Sequence, residues 1–308
     1  MTPQSGILPD ASTHALFVSL RRRIGRRFDA ASRRALSQLP AKVAAKLANG
    51  GVALGVVAIG PDAWSELFDG NRPAQLRPFP RIAGAIHPAP VSDIDLLLHL
   101  RGERYDLLHE LADQFVAGVA DWLEVTESIP GFRFHGGRDL TGFVDGTENP
   151  QGKEKAEVAL VAADDPDWAG GSYLHIQRYV HRLQTWRQLA VKQQETIVGR
   201  TKESDEELPD DDRPLTSHVS RVVIEEKGEE LAMLRRSMPY GLPGGEQGLY
   251  FTSYCHTPFV FEKMLARMIA PTSDGRVDHM LNYTRAVTGA ALFAPSIEKL
   301  ESLAEPKT

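Results

Sequence analysis

Apolar and polar positions change period several times along the 308 residues, and each change marks an element. After a loosely patterned, Pro/Ser/Gly-rich start over 1–11, Ala15 to Leu20 reads as a strand. Residues 29–48 have a helical pattern, and Pro40 within it predicts the first turn of a second helix, where its missing N–H leaves no bond unmade. Gly51 to Ile59 is an apolar run of strand length, followed by a short helix from Pro61 to Phe68. Ile94 to Leu100 does not alternate cleanly; its Leu96-Leu97-Leu98 centre, bounded by polar turns, predicts a strand covered on both faces. From Glu103 to Asp121, the spacing of Leu108, Leu111, Phe115 and Val119 makes one apolar stripe on a helix. Leu123 to Ser128 predicts the strand that closes this half.

The second half repeats the order of elements, though not the residues. Tyr173 to Leu183 predicts a strand, and Thr185 with Gln188 three residues on predicts a capped helix. Strands follow at Val219 to Ile224 and Leu249 to Tyr254. Phe261, Met264, Leu265 and Met268 then mark a second amphipathic helix, stopped by Pro271, before a last strand at Ala290 to Ala294. Strand, helix, strand, strand, helix, strand is the order of a ferredoxin-like unit. The expected fold is therefore α+β: two ferredoxin-like domains, 1–135 and 136–308, with their antiparallel sheets packed together. Between Lys202 and Pro214 lie seven acids (Glu203, Asp205, Glu206, Glu207, Asp210, Asp211, Asp212). Such a run reads as a solvated loop, or as an outer wall beside His218, to which it leads.

Composition removes several function classes. The net charge is −6, from 35 basic and 41 acidic residues, and 42% of positions are hydrophobic. Nothing in that balance calls for nucleic acid or an anionic membrane as partner. The single cysteine, Cys255, excludes an internal disulfide, a multi-thiolate metal site and a Cys-x-x-Cys-His haem attachment. A reducing compartment follows. Arg21-Arg22-Arg23 is not followed by an apolar core, since Gly25 to Arg34 is charged, so no export signal is expected. Without any apolar run of about eighteen residues, no membrane-spanning helix is expected either, and the protein is expected in the cytoplasm.

Two stretches carry candidate chemistry. In Gly142-Phe143-Val144-Asp145-Gly146-Thr147-Glu148-Asn149-Pro150, one carboxylate lies between glycines that allow positive φ or close approach to a flat ligand; taken alone, such a segment is most often a turn with a helix cap. In Arg235-Arg236 an extended backbone would send the two guanidiniums to opposite faces. A surface salt bridge explains that pair as well.

Several further matches occur in one order along nearly the whole chain. They are Gly142, Asp145, Gly146 and Thr147; Gly171-Ser172-Tyr173 with Gln177 and Tyr179; Ser217-His218; Arg235-Arg236-Ser237-Met238-Pro239-Tyr240-Gly241; and Thr288-Gly289 followed by Pro295-Ser296. In these the chain resembles the dye-decolorising peroxidases of the bacterial cytoplasmic type. The resemblance implies haem b (iron protoporphyrin IX) in the second half, with His218 on the iron and Gly146 and Thr147 against the cofactor. Asp145 becomes the distal acid–base group, Arg235 the cation beside it, and Ser237 the holder of a distal water. An ordinary aspartate has a pKa of about 3.9, and Arg235 is expected to depress it further. His175, His181 and His256 compete with His218, and His181 is expected near the haem edge. Asp278 is the candidate partner for the second nitrogen of His218, or else a helix cap. Phe251, Met280 and Leu281 are candidate walls, and Arg200 and Arg221 candidate partners of the propionates.

The implied activity uses hydrogen peroxide to oxidise dyes, phenols or similar one-electron donors through an oxyferryl intermediate, with Trp122, Trp168 and Trp186 as possible relays. The alternatives are a haem-processing enzyme (deferrochelatase or porphyrinogen oxidase-like) and a non-enzymatic haem-binding module. A homo-oligomer is expected, and no encapsulin-loading tail is recognisable at the C-terminus.

Overall fold

The structure, a computed structural model, describes residues 1–48, 53–68, 72–162, 165–271 and 275–305. The first half runs β1 (His14–Arg22), α1 (Ala30–Ser37), α2 (Leu39–Ala48), β2 (Ala53–Ile59), α3 (Pro61–Leu67), β3 (Leu96–Gly102), α4 (Tyr105–Val119) and β4 (Leu123–Phe132). Pro40 lies in the first turn of α2, as its chemistry requires. The expected start of β2 at Gly51 lies outside the described residues. A short helix, α5 (Glu154–Ala159), leads to the second half: β5 (Ser172–His181), α6 (Leu183–Arg187), α7 (Val191–Val198), α8 (His218–Val222), the small hairpin β6 (Glu225–Glu226) and β7 (Glu229–Glu230), β8 (Leu234–Arg235), β9 (Met238–Gly241), β10 (Gln247–Cys255), α9 (Phe259–Ile269), β11 (Thr284–Ala286), β12 (Ala290–Ala294) and α10 (Ile297–Glu301).

The sheets are not stacked face to face. They join at their edges into one sheet that closes on itself in the order β5-β12-β2-β3-β1-β4-β9-β10 and back to β5. Every ladder is antiparallel, and the two seams between the halves are Phe293 opposite Ile59 and Gly131 opposite Tyr240. Closure pairs strand edges that either half alone would leave open. It also explains the unbroken apolar run of β3, all of which is buried: one face points into the ring and the other meets helices.

The two faces of each strand therefore belong to different cores. Ala15, Phe17, Val56, Leu97, Leu174, Tyr250 and Leu292 fill the ring. Leu16, Val18, Leu98 and Leu100 face outward against Leu36, Leu108, Leu111 and Phe115 of α1 and α4. On the second half the outward face meets α9, where Phe261, Leu265 and Ile269 pack with Tyr179, Leu281 and Ala291. No helix among the described residues is long and apolar enough to cross a membrane.

Two local expectations fail. Val219 to Ile224, read as a strand from its β-branched residues, begins as helix α8. Ser217 caps it by accepting from the Ser220 amide, and Arg267 on α9 donates to the Ser220 and Val223 carbonyls at the other end. Thr185 caps nothing: α6 starts at Leu183, and the side chain that returns to a helix-start amide is Gln193, accepting from Ala190 ahead of α7.

Candidate active site

Between the outward face of β5 and β10, helix α9, helix α8 and the 139–148 loop lies a cavity with about 250 Å³ open to the centres of water molecules. Its walls are mostly apolar: Val219, Val222, Val223, Phe251, Met264 and Leu281 are among them. His218, Asp145 and Arg235 all line it, though 73 and 17 residues separate them along the chain (145 to 218, 218 to 235).

His218 is the first residue of α8, just after its Ser217 cap. Its Nδ1 is 2.6 Å from Oδ2 of Asp278, a carboxylate with no exposed surface, while about a third of the imidazole remains accessible. Among the described residues Nε2 has no hydrogen-bond partner. Asp278 also caps the short 3-10 turn His279–Asn282, accepting from the Met280 amide at 2.8 Å on its other oxygen. Both readings of this carboxylate hold at once, one per oxygen. Backbone bonds from Asp278 to the Met268 carbonyl and from His279 to the Thr216 carbonyl fasten this segment to α9 and to the approach to α8. The proton of the pair belongs on Nδ1, because only a donor suits a carboxylate there, and that leaves the Nε2 lone pair free.

Asp145 is carried by a loop folded back on itself. Its amide donates to the Gly137 carbonyl at 3.0 Å, and Asp139 donates to the Phe143 carbonyl at 2.8 Å. Gly142 makes the turn at φ +93°, and a Cβ there would stand 2.5 Å from Cε of Lys202. Burial raises the Asp145 carboxyl above the ordinary aspartate value, the Arg235 charge opposing but not overcoming it. The expectation of a depressed pKa is thus reversed, since loss of solvent outweighs one nearby cation.

Arg235 and Arg236 diverge as an extended segment dictates. Arg235 lines the cavity, whereas buried Arg236 donates to the Ile7 and Leu8 carbonyls at 3.0 and 2.7 Å. Asn149, given no role from the sequence, grips the backbone of Arg235 with both ends of its amide. Oδ1 accepts from the Arg235 amide at 2.8 Å and Nδ2 donates to the Arg235 carbonyl at 3.2 Å. One side chain thus ties the loop of Asp145 to the strand of Arg235.

Other candidates are sorted by the structure. Gly146, Thr147 and Phe251 line the cavity, and the Thr147 hydroxyl donates to Asp205. Met280 and Leu281 line it too. Ser237 is not among its lining residues; its hydroxyl accepts from the Thr252 amide at 3.2 Å. Arg200 lines the cavity, but its guanidinium is already engaged by Asp205, Glu148 and Glu207. Arg221 is buried on α8 and is not among the residues that line the cavity. The acidic stretch is not simply solvated, because Asp205 and Glu207 pack on Arg200, and Arg138 donates to the Lys202 and Glu203 carbonyls.

Of the competing histidines, His181 lines the cavity with both nitrogens engaged, by Thr284 at 2.8 Å and Asp139 at 3.1 Å. Burial alone would raise Asp139, but the His181 ring and two Thr141 hydrogen bonds hold its carboxyl below the usual value. His256 Nδ1 is 3.0 Å from the Val158 carbonyl, and His175 is buried under α9. Among the described residues, only His218 combines an oriented ring with a free nitrogen at the cavity.

Fold and site together define an α+β protein with a largely apolar cavity. One carboxylate-oriented imidazole lies in its wall, and an asparagine next to the Asp145 loop holds the backbone of the arginine that shares the cavity. A flat, largely apolar cofactor bound by one imidazole suits those walls. Family models for the N-terminal and C-terminal parts of Dyp-type peroxidases match residues 4–133 and 136–299. A dye-decolorizing peroxidase of Mycobacterium tuberculosis is 43% identical over 248 residues, 80% of this chain and 74% of that protein. The encapsulated DyP-type peroxidase of Mycobacterium smegmatis has a TM-score of 0.93 at 39% identity, covering 97% of each chain. A DypB variant of Rhodococcus jostii RHA1 in complex with heme has a TM-score of 0.91 at 36% identity, covering 99% of each. The chain belongs to the Dyp-type peroxidase family, whose function is haem-dependent peroxidase chemistry.

Proposed function

We propose that this chain binds haem b through His218 Nε2 and reduces hydrogen peroxide at the expense of a one-electron donor such as a dye or phenol. The observation that carries the reading is the 2.6 Å bond from His218 to buried Asp278, which leaves an oriented nitrogen facing an apolar cavity shared with Asp145 and Arg235. When bound, haem supplies the iron at which peroxide is split and from which donors are oxidised. Asp278 holds the ring and its tautomer and increases the basicity of Nε2. Asp145, when ionised, accepts the proton of the incoming peroxide and returns it to the departing oxygen. Arg235 stabilises negative charge as it develops on that oxygen. The valine, leucine and phenylalanine walls keep water away, which strengthens both effects.

Several narrower statements go with this reading. The strand order β4-β1-β3-β2 in the first half and β12-β5-β10-β9 in the second supports two ferredoxin-like units, 1–135 and 136–308. A cytoplasmic homo-oligomer working on peroxide and a reducing substrate, without nucleic acid or membrane, is consistent with the charge and the single cysteine.

The test is optical. The purified protein should show a ferric haem spectrum that changes within the mixing time on adding one equivalent of peroxide and returns when a phenol is added. His218→Ala should lose most of the haem. A variant with full haem content and an unaltered spectrum would rule out His218 as the ligand.

A further inference from the structure

A row of polar side chains crosses the outward face of the sheet beneath α9. Arg235 on β8 stands opposite Ser253 on β10, Ser253 opposite His175 on β5, and His175 opposite Ala291 on β12. Directly opposed residues share a face with Cβ atoms about 5 Å apart, so the row runs sideways from the cavity into the core. Ser253 and His175 are each 1% exposed. Among the described residues, neither nitrogen of His175, nor Oγ of Ser253, nor Nε2 of the neighbouring Gln177 has a hydrogen-bond partner. The His175 ring lies flat on Phe261, with centroids 4.2 Å apart and planes at 14°.

That concentration of unmet polar groups is unusual for ordinary core packing. Each buried donor or acceptor left unmade is destabilising, and an apolar side chain stacked on Phe261 would avoid it. Buried polar groups without protein partners are characteristically satisfied by ordered water. The far end of the row is close to solvent. Phe261, which covers His175, precedes Glu262, which accepts from the partly exposed Arg77 at 2.8 Å.

We propose that Ser253 and His175 bind internal water and form a proton path between the Arg235 side of the cavity and the surface beside Arg77 and Glu262. The role rests on the peroxidase reading. Overall, H2O2 + 2e⁻ + 2H⁺ gives 2H2O, and donors too bulky for the cavity deliver electrons from a distance without delivering their protons. Two protons per turnover must then reach the distal side separately. A hydroxyl and a neutral imidazole suit that task, because each accepts a proton on one side while releasing another on the other, with no charge stored. Burial pushes the His175 imidazolium down to a pKa of about 3, which keeps the ring neutral in the working range.

The experiment has a structural arm and a kinetic arm. In crystals of the protein without haem, water should lie within about 2.7–3.2 Å of a His175 nitrogen or Ser253 Oγ. In the haem-loaded enzyme, His175→Phe, which keeps the ring stack, and Ser253→Ala should each slow turnover with ferrocyanide, a donor that carries no proton, by about tenfold. The rate of peroxide cleavage should stay within about twofold of the parent's, and a solvent deuterium effect on ferrocyanide turnover should be larger in the variants. A dry row, together with His175→Phe that melts higher than the parent and turns over ferrocyanide equally fast, would overturn the proposal. Failure of the peroxidase reading would look different: no peroxide-dependent oxidation in the parent, with the internal waters still in place.

Discussion

Asp145 shows how one side chain is made useful by an environment that disfavours it. Its carboxyl is pushed up by burial despite Arg235. Because the folded-state pKa lies above the unfolded value, the stabilising contribution belongs to the protonated form and is lost as pH rises through the folded pKa. Keeping the group ionised in the folded state therefore costs stability. Asp145→Asn should raise the melting temperature of the haem-free protein by roughly 1–3 °C at pH 7, and the gain should vanish below about pH 4. The same variant should cleave peroxide far more slowly. Equal or lower melting at pH 7 would contradict the assignment of a strained carboxylate. In the parent, peroxide cleavage should decline on acidification at a higher pH than an ordinary aspartate would impose.

At the scale of elements, the site depends on segments holding one another in place. The cap of α8 orients His218, the 3-10 turn at His279–Asn282 presents Asp278, and Asn149 joins the 139–148 loop to β8. The two Asn149 hydrogen bonds are each of the order of 1 kcal/mol, but their positioning effect is read best by coupling. Asn149→Ala should slow peroxide cleavage about tenfold in the parent and leave it nearly unchanged in an Arg235→Ala background. Haem content should be the same throughout. Additive losses in the double variant would mean that Asn149 does not act through Arg235. Hydrogen exchange at the Arg235 amide, whose acceptor is removed, should accelerate in Asn149→Ala without haem as well.

For the whole molecule, ring closure buries polar groups on both faces of the sheet. His99 inside the ring and His175 outside it are both held neutral, each chiefly by burial. A histidine whose folded pKa is depressed destabilises the fold once the unfolded chain can take its proton. Stability should therefore fall as pH drops from about 6.5, the unfolded value, toward the folded value of about 3 for His175. Urea midpoints at pH 7, 6, 5 and 4 should fall less steeply for His175→Phe than for the parent. Parallel curves would show that His175 is not buried neutral.

The amino-acid sequence by itself determined most elements, because helices such as α4 and α9 and strands such as β1 and β3 are written in local apolar spacing. It also marked the Gly142–Pro150 loop and the divergence of Arg235 from Arg236, which follow from glycine and extended-chain geometry. Only the tertiary structure decided that the halves join edge to edge, since seam pairs such as Ile59 with Phe293 leave no local signal. It also decided that α8 is a helix, because Arg267 from a distant element completes its carbonyls. Arg200 turned to acidic neighbours, Arg221 went into the core, and Ser237 turned to a strand amide for the same reason: a side chain's partner is set by what packs beside it. Asn149 and Asp139 escaped notice on those grounds, their partners lying 86 and 42 residues away along the chain.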